Sequence, residues 1–118
     1  MVGVLAGWLC YSFYFFFKAV IFMKESKFQS DVINEVKQRF PDSVVLKNDA
    51  TYCQGIPDLT ILYKNKWARL ECKKDAKSPK RPNQEYYVNK LNEMSFSAFI
   101  CPQNKEEVMN ELERSLKS

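Results

Sequence analysis

The stretch GIPDLTILYKNKWARLECKK, Gly55–Lys74, carries the clearest structural pattern in this chain. Within it, two runs rich in apolar and β-branched residues, DLTILYK and WARLECKK, are separated by a short polar break. Such a pattern predicts two antiparallel strands joined by a tight turn. If Asn65–Lys66 form a two-residue loop, the resulting register places Asp58 opposite Lys73.

The two strands gather three charged side chains on one face. Side chains alternate between the faces of a strand, so directly opposed residues point the same way. In the predicted register Asp58, Glu71 and Lys73 converge, whereas a one-residue change would put the two carboxylates on different faces. The other face is apolar and is the predicted core; it carries Leu59, Ile61, Leu70 and Cys72.

This convergence has two chemical interpretations. Two neighbouring carboxylates repel each other unless a cation lies between them, and Mg²⁺ or Mn²⁺ suits them because hard cations take carboxylates and keep several waters. Beside such a metal, Lys73 could orient a water or stabilise negative charge developing on a phosphate. The alternative is an exposed salt bridge of Glu71 with Lys73 or Lys74, which is common on protein surfaces.

Outside the hairpin the chain alternates between helical and strand patterns. Apolar residues from Phe28 onward recur at helical spacing, which predicts a helix over 25–40 that Pro41 stops, with Glu35 facing solvent. The other predicted elements are a strand over 43–48, a helix over 83–94, a strand over 97–101 and a last helix opened by a capping-box-like Asn104 and Glu107. The resulting order predicts an α/β fold with a mixed central sheet flanked by helices.

Composition limits the classes of function. The chain has 118 residues, a formal net charge of +4 and no histidine, and its four cysteines form no CxxC pair. The missing histidine excludes Ser-His-Asp and Cys-His hydrolases and HExxH proteases. The cysteine pattern favours a reducing compartment over a disulfide scaffold or a zinc knuckle. Any chemistry must therefore use carboxylates and lysines, with or without a hard metal ion.

A basic segment overlaps the second strand of the hairpin and continues beyond it. Between Lys64 and Arg81, eight cationic residues stand against two acidic ones. A local basic patch favours a polyanionic partner, most simply nucleic acid. The alternative is a solvated loop that keeps the protein soluble.

The start of the chain differs from the rest. Residues 1–22 are almost entirely apolar or aromatic, and about 20 such residues suffice to span a membrane, with Lys18 reaching the headgroups. The alternative is a start-site artefact, because the soluble pattern begins sharply at Met23. Residues 23–118 then form one domain whose core is adequate but not generous, so a homodimer would be unsurprising.

GIPDL followed by LECKK resembles the PD-(D/E)xK nuclease superfamily, with twelve residues between Asp58 and Glu71. Within that superfamily the chain is most similar to the small VRR-NUC type often found in phages, a Holliday-junction-resolvase-like group. The matching positions are Glu25 and Gln29 on the first helix, Gly55 and Pro57–Leu59, Glu71 and Lys73, and Gln84 near the start of the next helix.

The resemblance implies a restriction-endonuclease-like αβββαβ core followed by a C-terminal helix. Asp58 and Glu71 would bind Mg²⁺ or Mn²⁺, and Glu25 would complete the metal site. Lys73 would be the catalytic lysine, and Gln84 would position substrate or water. The basic residues expected to hold the nucleic-acid backbone without reading bases are Lys74, Lys77, Lys80 and Arg81.

The implied function is a Mg²⁺-dependent endonuclease that hydrolyses DNA phosphodiester bonds, selective for branched or flapped DNA. Its expected role is in replication, recombination or phage genome processing, in the cytoplasm of a bacterial host if the chain is phage-encoded. One alternative is a catalytically inactive DNA-binding module of the same fold. Another is a membrane-anchored single-pass protein with a cytoplasmic interaction domain, if residues 1–22 are genuine.

Overall fold

A computed structural model describes residues 24–118 of the chain. Both predictions for the apolar leader, a membrane anchor or a start-site artefact, fall on residues 1–22 and lie outside the described residues. Within the described range, no helix combines the length and apolar character needed to cross a bilayer.

The described residues form an α/β fold in the predicted order of elements. A first helix, α1, covers residues 24–39. The elements after it are β1 (Val44–Lys47), β2 (Leu59–Tyr63), β3 (Lys66–Cys72), α2 (Pro82–Met94), β4 (Phe96–Ile100) and α3 (Lys105–Lys117). This order is compatible with an αβββαβ core followed by a further helix.

Helix α1 forms because its apolar residues recur every four positions. Phe28, Val32 and Val36 lie on one stripe and are buried, and Phe40 directly after the helix continues the stripe into the core. The helix ends just before Pro41, whose ring disfavours helical geometry at the preceding residue. The amphipathic stripe therefore fixes the side of the helix that meets the sheet.

The four strands form one mixed sheet in the order β1-β2-β3-β4. β1 pairs antiparallel with β2, and β2 pairs antiparallel with β3. β3 pairs parallel with β4, and α2 supplies the crossover that a parallel connection requires. The mixed sheet predicted from the sequence is confirmed.

The predicted register of the hairpin is wrong by two residues. The loop is Lys64–Asn65 rather than 65–66, so Tyr63 pairs with Lys66 in the observed ladder. The reason is that Lys64 adopts a positive φ of 55° and opens the turn one residue earlier. Because the side-chain period is two, this shift preserves the face of every residue. Asp58 therefore lies beside Glu71 rather than opposite the lysine.

The core lies between one face of the sheet and helices α1 and α3. The predicted inward residues of the hairpin are all buried there, together with Val108, Met109, Leu112 and Leu116 of α3. Helix α2 contacts β3 and β4 on the other face, and Val88 is its buried residue. The polar face of the hairpin therefore lies on the side of α2.

The capping box predicted at the start of α3 is wrong. Asn104 is the N-cap residue, but its side chain makes no capping hydrogen bond to the helix. Instead its Oδ1 accepts from the Cys101 N–H at 2.8 Å, and its Nδ2 donates to the Phe99 carbonyl at 3.1 Å. Those bonds satisfy backbone groups where β4 ends, a need that local sequence does not reveal.

Candidate metal centre and nucleic-acid cleft

Asp58 and Glu71 meet at one end of the sheet. Asp58 directly precedes β2, and Glu71 is near the end of β3. The Asp58 backbone N–H donates to Glu71 Oε2 at 3.0 Å, and the Cys72 N–H donates to Asp58 Oδ2 at 3.0 Å. These two bonds across the strand pair fix both carboxyl groups against the same stretch of backbone.

Both carboxyl groups resist ionisation. Burial, followed by the charge of Asp58, raises the pKa of Glu71 to about 7, and Lys73 only partly opposes this. Burial also raises the pKa of Asp58, with a further contribution from Glu25, against the Cys72 N–H and the Lys73 charge. The positive charge of Lys73 is therefore too small to offset the free-energy cost of ionising both carboxyl groups.

Gln84 links the lysine to the glutamate. Lys73 Nζ donates to Gln84 Oε1 at 2.8 Å, and Gln84 Nε2 donates to Glu71 Oε1 at 3.1 Å. The Arg81 backbone N–H also donates to Gln84 Oε1, at 3.1 Å, which caps the start of α2. The Lys73 backbone is held in turn by its N–H donating to the Ile100 carbonyl at 2.8 Å. Gln84 thus joins the end of β3 to the start of α2 through a single amide group.

The alternative of an exposed salt bridge does not match the observed contacts. Glu71 is 5% exposed and Lys73 is 9% exposed, so neither side chain lies on an open surface. Among residues 24–118, no ion pair within 4.0 Å includes Asp58, Glu71, Lys73 or Lys74. The lysine is oriented by an uncharged amide and remains available to a negatively charged group.

The site opens into a cleft of about 590 Å³. All four predicted catalytic residues line it, and so do three of the five predicted nucleic-acid-binding residues. These are Glu25, Asp58, Glu71 and Lys73, with Lys74, Arg81 and Gln84. Ser26, Gln29, Ser78 and Pro79 complete the lining.

The other two predicted binding residues lie outside the cleft lining. Lys77 and Lys80 are exposed on the loop between β3 and α2, the same loop that carries Lys74 and Arg81. Lys80 Nζ lies 4.6 Å from the centre of the Phe99 ring, a cation–π contact. Both side chains therefore add positive charge to the loop that borders the cleft without lining the cleft itself.

Glu25 shares the cleft without completing a three-ligand cluster. Its charge contributes to the raised pKa of both Asp58 and Glu71, so it faces them through the cleft. Within residues 24–118, however, no three acidic, thiol or imidazole side chains come close enough to hold a metal by themselves. The structure therefore brings the Asp58 and Glu71 carboxyl groups together, and Glu25 lines the same cleft without joining them in a three-ligand group.

The donor set fits a hard cation. Mg²⁺ is usually held by one or two carboxylates, with waters and substrate phosphate filling its other positions, so two carboxylates in an open cleft suffice. Asp58 Oδ1 accepts no hydrogen bond from any residue of the described range, which leaves it free for a ligand bond. Cys72 is buried on the opposite face, and burial raises the pKa of its thiol, so it stays protonated.

Sequence reasoning missed part of the surroundings of the site. Ser26, Ser78 and Pro79 carry no signal that would mark them as lining residues. Glu35, predicted to face solvent, is instead half-buried and contacts Lys105 Nζ at 2.7 Å and Arg39 Nη2 at 3.0 Å. That prediction is wrong because the burial of Glu35 depends on how α3 packs beside α1, and helical spacing does not show this packing.

The chain was compared with known proteins at three levels. No family model, no curated protein and no solved structure matches it. The resemblance to PD-(D/E)xK nucleases therefore rests on the residues and geometry described above, and it stays a prediction.

Proposed function

We propose that this protein is a metal-dependent nuclease that hydrolyses DNA phosphodiester bonds. The observation that carries the proposal is the convergence of Asp58, Glu71, Lys73 and Gln84 in one cleft with a basic loop at its edge. Clusters of buried titratable groups with shifted pKa values and no compensating ion pair are characteristic of functional sites.

Asp58 and Glu71 would hold Mg²⁺ or Mn²⁺. Such a metal, when bound, supplies a Lewis acid for the phosphate and a water that is acidic enough to act as a nucleophile. A cation between the carboxylates also offsets the repulsion that keeps their pKa values high. Glu25 would act on the same cation at longer range or through a water.

Lys73 is the residue best placed to act on substrate. Its ammonium group is held at 2.8 Å by Gln84, so its position is fixed before substrate arrives. Preorganised charge of this kind stabilises negative charge on the phosphate oxygens during attack. Gln84 is a positioning residue, because it reaches the reaction through Lys73 and Glu71.

The basic residues supply affinity for the backbone. Lys74 and Arg81 line the cleft, while Lys77 and Lys80 extend the positive surface along the same loop. Lysine and arginine contacts to phosphates give binding that is salt-sensitive and tolerant of sequence. The predicted selectivity for branched or flapped DNA is part of this proposal.

The finer fold assignment belongs to the same proposal. The order of elements and the mixed sheet support a restriction-endonuclease-like core of the VRR-NUC type. A role in phage-type replication, recombination or genome processing, a cytoplasmic location and a homodimer follow from that assignment as expectations.

The test is a cleavage assay with the full chain. Labelled single-stranded, duplex, flapped and four-way-junction DNA are incubated with Mg²⁺, Mn²⁺ or EDTA, beside Asp58→Asn and the control Asp42→Asn, an exposed turn residue outside the cleft. Metal-dependent cutting that Asp58→Asn loses and Asp42→Asn keeps supports the proposal. A folded wild-type chain that binds DNA and cuts nothing with either metal overturns it in favour of an inactive binding module.

A further inference from the structure

Asn48 lies directly after β1 and has no role in the chemistry proposed above. Lys47 pairs with Leu59, so Asn48 and Asp58 are the next pair of the same ladder. The Asn48 backbone N–H donates to the Asp58 carbonyl at 2.8 Å, which is a bond expected at that position. Since directly opposed residues point to the same face, the Asn48 side chain lies on the face that carries both carboxyl groups.

The side chain of Asn48 bonds to the chain on both sides of Asp58. Its Nδ2 donates to the Pro57 carbonyl at 2.7 Å, and its Oδ1 accepts from the Thr60 hydroxyl at 3.0 Å. A carbonyl can only accept a hydrogen bond, so Pro57 selects the NH₂ end of the amide and leaves the oxygen for Thr60. Thr60 is 6% exposed, so its hydroxyl meets the amide within the fold. One short side chain therefore fixes the main chain before and after a proposed metal ligand.

The peptide between Pro57 and Asp58 is bonded to a side chain at each of its two polar atoms. Its carbonyl oxygen accepts from Asn48 Nδ2, and its N–H donates to Glu71 Oε2 at 3.0 Å. A peptide is planar, so fixing the direction of its carbonyl also fixes the direction of its N–H. The orientation of this one peptide therefore connects Asn48 to the main chain of Asp58 and to the carboxyl group of Glu71.

Two roles for these bonds can be distinguished by what they affect. Pro57 is fully buried, and a partner for its carbonyl stabilises the fold whether or not a metal is bound. A bond that orients a metal ligand acts differently, because it changes the metal affinity of the folded chain. The position of the bonded peptide between the two carboxyl groups favours the second role.

We propose that Asn48 is a positioning residue of the metal centre, which orients the Pro57–Asp58 peptide so that Asp58 and Glu71 present their oxygens to one divalent cation. Thr60 supports this role by holding the Asn48 amide. The inference rests on the proposed function for the presence of the cation, and it adds to the site a residue outside the cleft lining.

The test measures Mn²⁺ binding to the full chain without DNA, from the loss of the electron paramagnetic resonance signal of free Mn²⁺. Asp58→Asn identifies the part of the binding that belongs to the site, and circular dichroism checks that each variant is folded. Asn48→Ala should weaken Mn²⁺ binding by about tenfold or more, which is the usual effect of losing a group that orients a metal ligand.

Thr60→Val removes only the hydroxyl and should weaken Mn²⁺ binding by a smaller factor. Because that hydroxyl acts through the Asn48 amide, the double variant should bind no more weakly than Asn48→Ala alone. Thr51→Val is the matched control, since the Thr51 hydroxyl donates to Asp49 at 2.7 Å in the loop between β1 and β2, outside the cleft lining. The control should keep the Mn²⁺ affinity of the wild-type chain.

The two proposals fail in different ways. If the wild-type chain binds Mn²⁺ and cuts DNA while folded Asn48→Ala binds Mn²⁺ equally well, the positioning inference is overturned and the nuclease stands. Lower stability with unchanged Mn²⁺ affinity has the same meaning, and if Asn48→Ala does not fold, Thr60→Val decides. If Mn²⁺ affinity falls as expected but the wild-type chain cuts no DNA, the positioning role is supported and the nuclease proposal fails. A wild-type chain that binds no Mn²⁺ overturns both.

Discussion

Two glutamates of this protein, Glu35 and Glu71, are both withdrawn from solvent but meet opposite electrostatic surroundings. Burial acts against ionisation of Glu35, but Lys105 and Arg39 outweigh it and the pKa of Glu35 lies below its ordinary value. Glu71 has burial and a neighbouring carboxylate against it, and its pKa rises to about 7. The first carboxylate is neutralised within the fold, and the second is not.

The difference separates a carboxylate that is paired within the fold from one that is not. Glu35 joins α1 to α3 through Lys105, and the same cluster continues from Arg39 to Glu106 at 3.0 Å. Among residues 24–118, Asp58 and Glu71 form no ion pair within 4.0 Å, so their carboxylates remain available to an external cation. Buried carboxyl groups without a compensating ion pair mark a candidate functional site.

The largest expected effect comes from removing the reacting groups. Asp58→Ala or Lys73→Ala should abolish cleavage, with a loss of about a hundredfold or more, because the first removes a proposed metal ligand and the second removes the cation proposed to act on the phosphate. DNA binding should remain largely intact, since the basic loop is untouched. Glu35→Gln, the matched change in the paired cluster, should leave the cleavage rate near that of wild type. Retained cutting in both cleft variants would falsify this mechanism.

Salt dependence tests which cations are free to bind phosphate. Lys77→Ala combined with Lys80→Ala should flatten the slope of log affinity against log salt, by roughly 0.9 for each phosphate that the variant no longer neutralises. Lys105→Ala should leave the slope unchanged, because Lys105 is already paired with Glu35 at 2.7 Å. Filter binding across a salt series measures both variants, and an unchanged slope in the double variant would count against the basic loop.

The stability of the metal-free protein should fall as pH rises. The pKa of Glu71 is raised from 4.5 to about 7, so between these values the folded chain keeps a proton that the unfolded chain has released. This stabilisation is complete below about pH 4.5 and is lost as pH passes about 7. We expect a loss of about 1–2 kcal/mol after allowance for partial solvation, measured by urea denaturation in EDTA. A Glu71→Gln variant with the same pH dependence would exclude Glu71 as its source.

The smallest expected effect is a pair of stability changes of opposite sign. At about pH 8 in EDTA, Glu71→Gln should stabilise the fold by about 1 kcal/mol, because it removes a charge that opposes its surroundings. Glu35→Gln should destabilise it by a similar amount, because it leaves Lys105 and Arg39 without their shared partner. Thermal unfolding measures the stability of both variants. Stability changes of the same sign would contradict the proposed difference between Glu35 and Glu71.

Periodicity predicted most of the fold and the centre of the site. Alternation along the hairpin placed Asp58 and Glu71 on one face, and that face survived a register error of two residues because the period is two. The error itself came from Lys64, whose positive φ is not marked by any glycine in the turn. Composition shows that a turn is present, and the backbone conformation of one residue decides where it begins.

Contacts between distant segments could not be predicted from the sequence. Lys105 joins Glu35 only after α3 packs beside α1, and no local pattern reports that approach. The family resemblance predicts Gln84 near the site, but its hydrogen bonds to both Lys73 and Glu71 depend on how α2 packs across the sheet. Such details come from tertiary packing, which short-range propensities do not encode.

The hairpin also influences the order in which the residues of the site come together during folding. Asp58 and Glu71 are 13 residues apart and are joined by antiparallel pairing, which forms within about ten microseconds in isolated hairpins. The Lys73 backbone is held only when β4 adds in parallel after the α2 crossover, and such non-local pairing is slower. Contact order therefore predicts that the two acids meet before their lysine is fixed, and a divalent cation held by the pair, as proposed above, should then speed refolding of the whole domain.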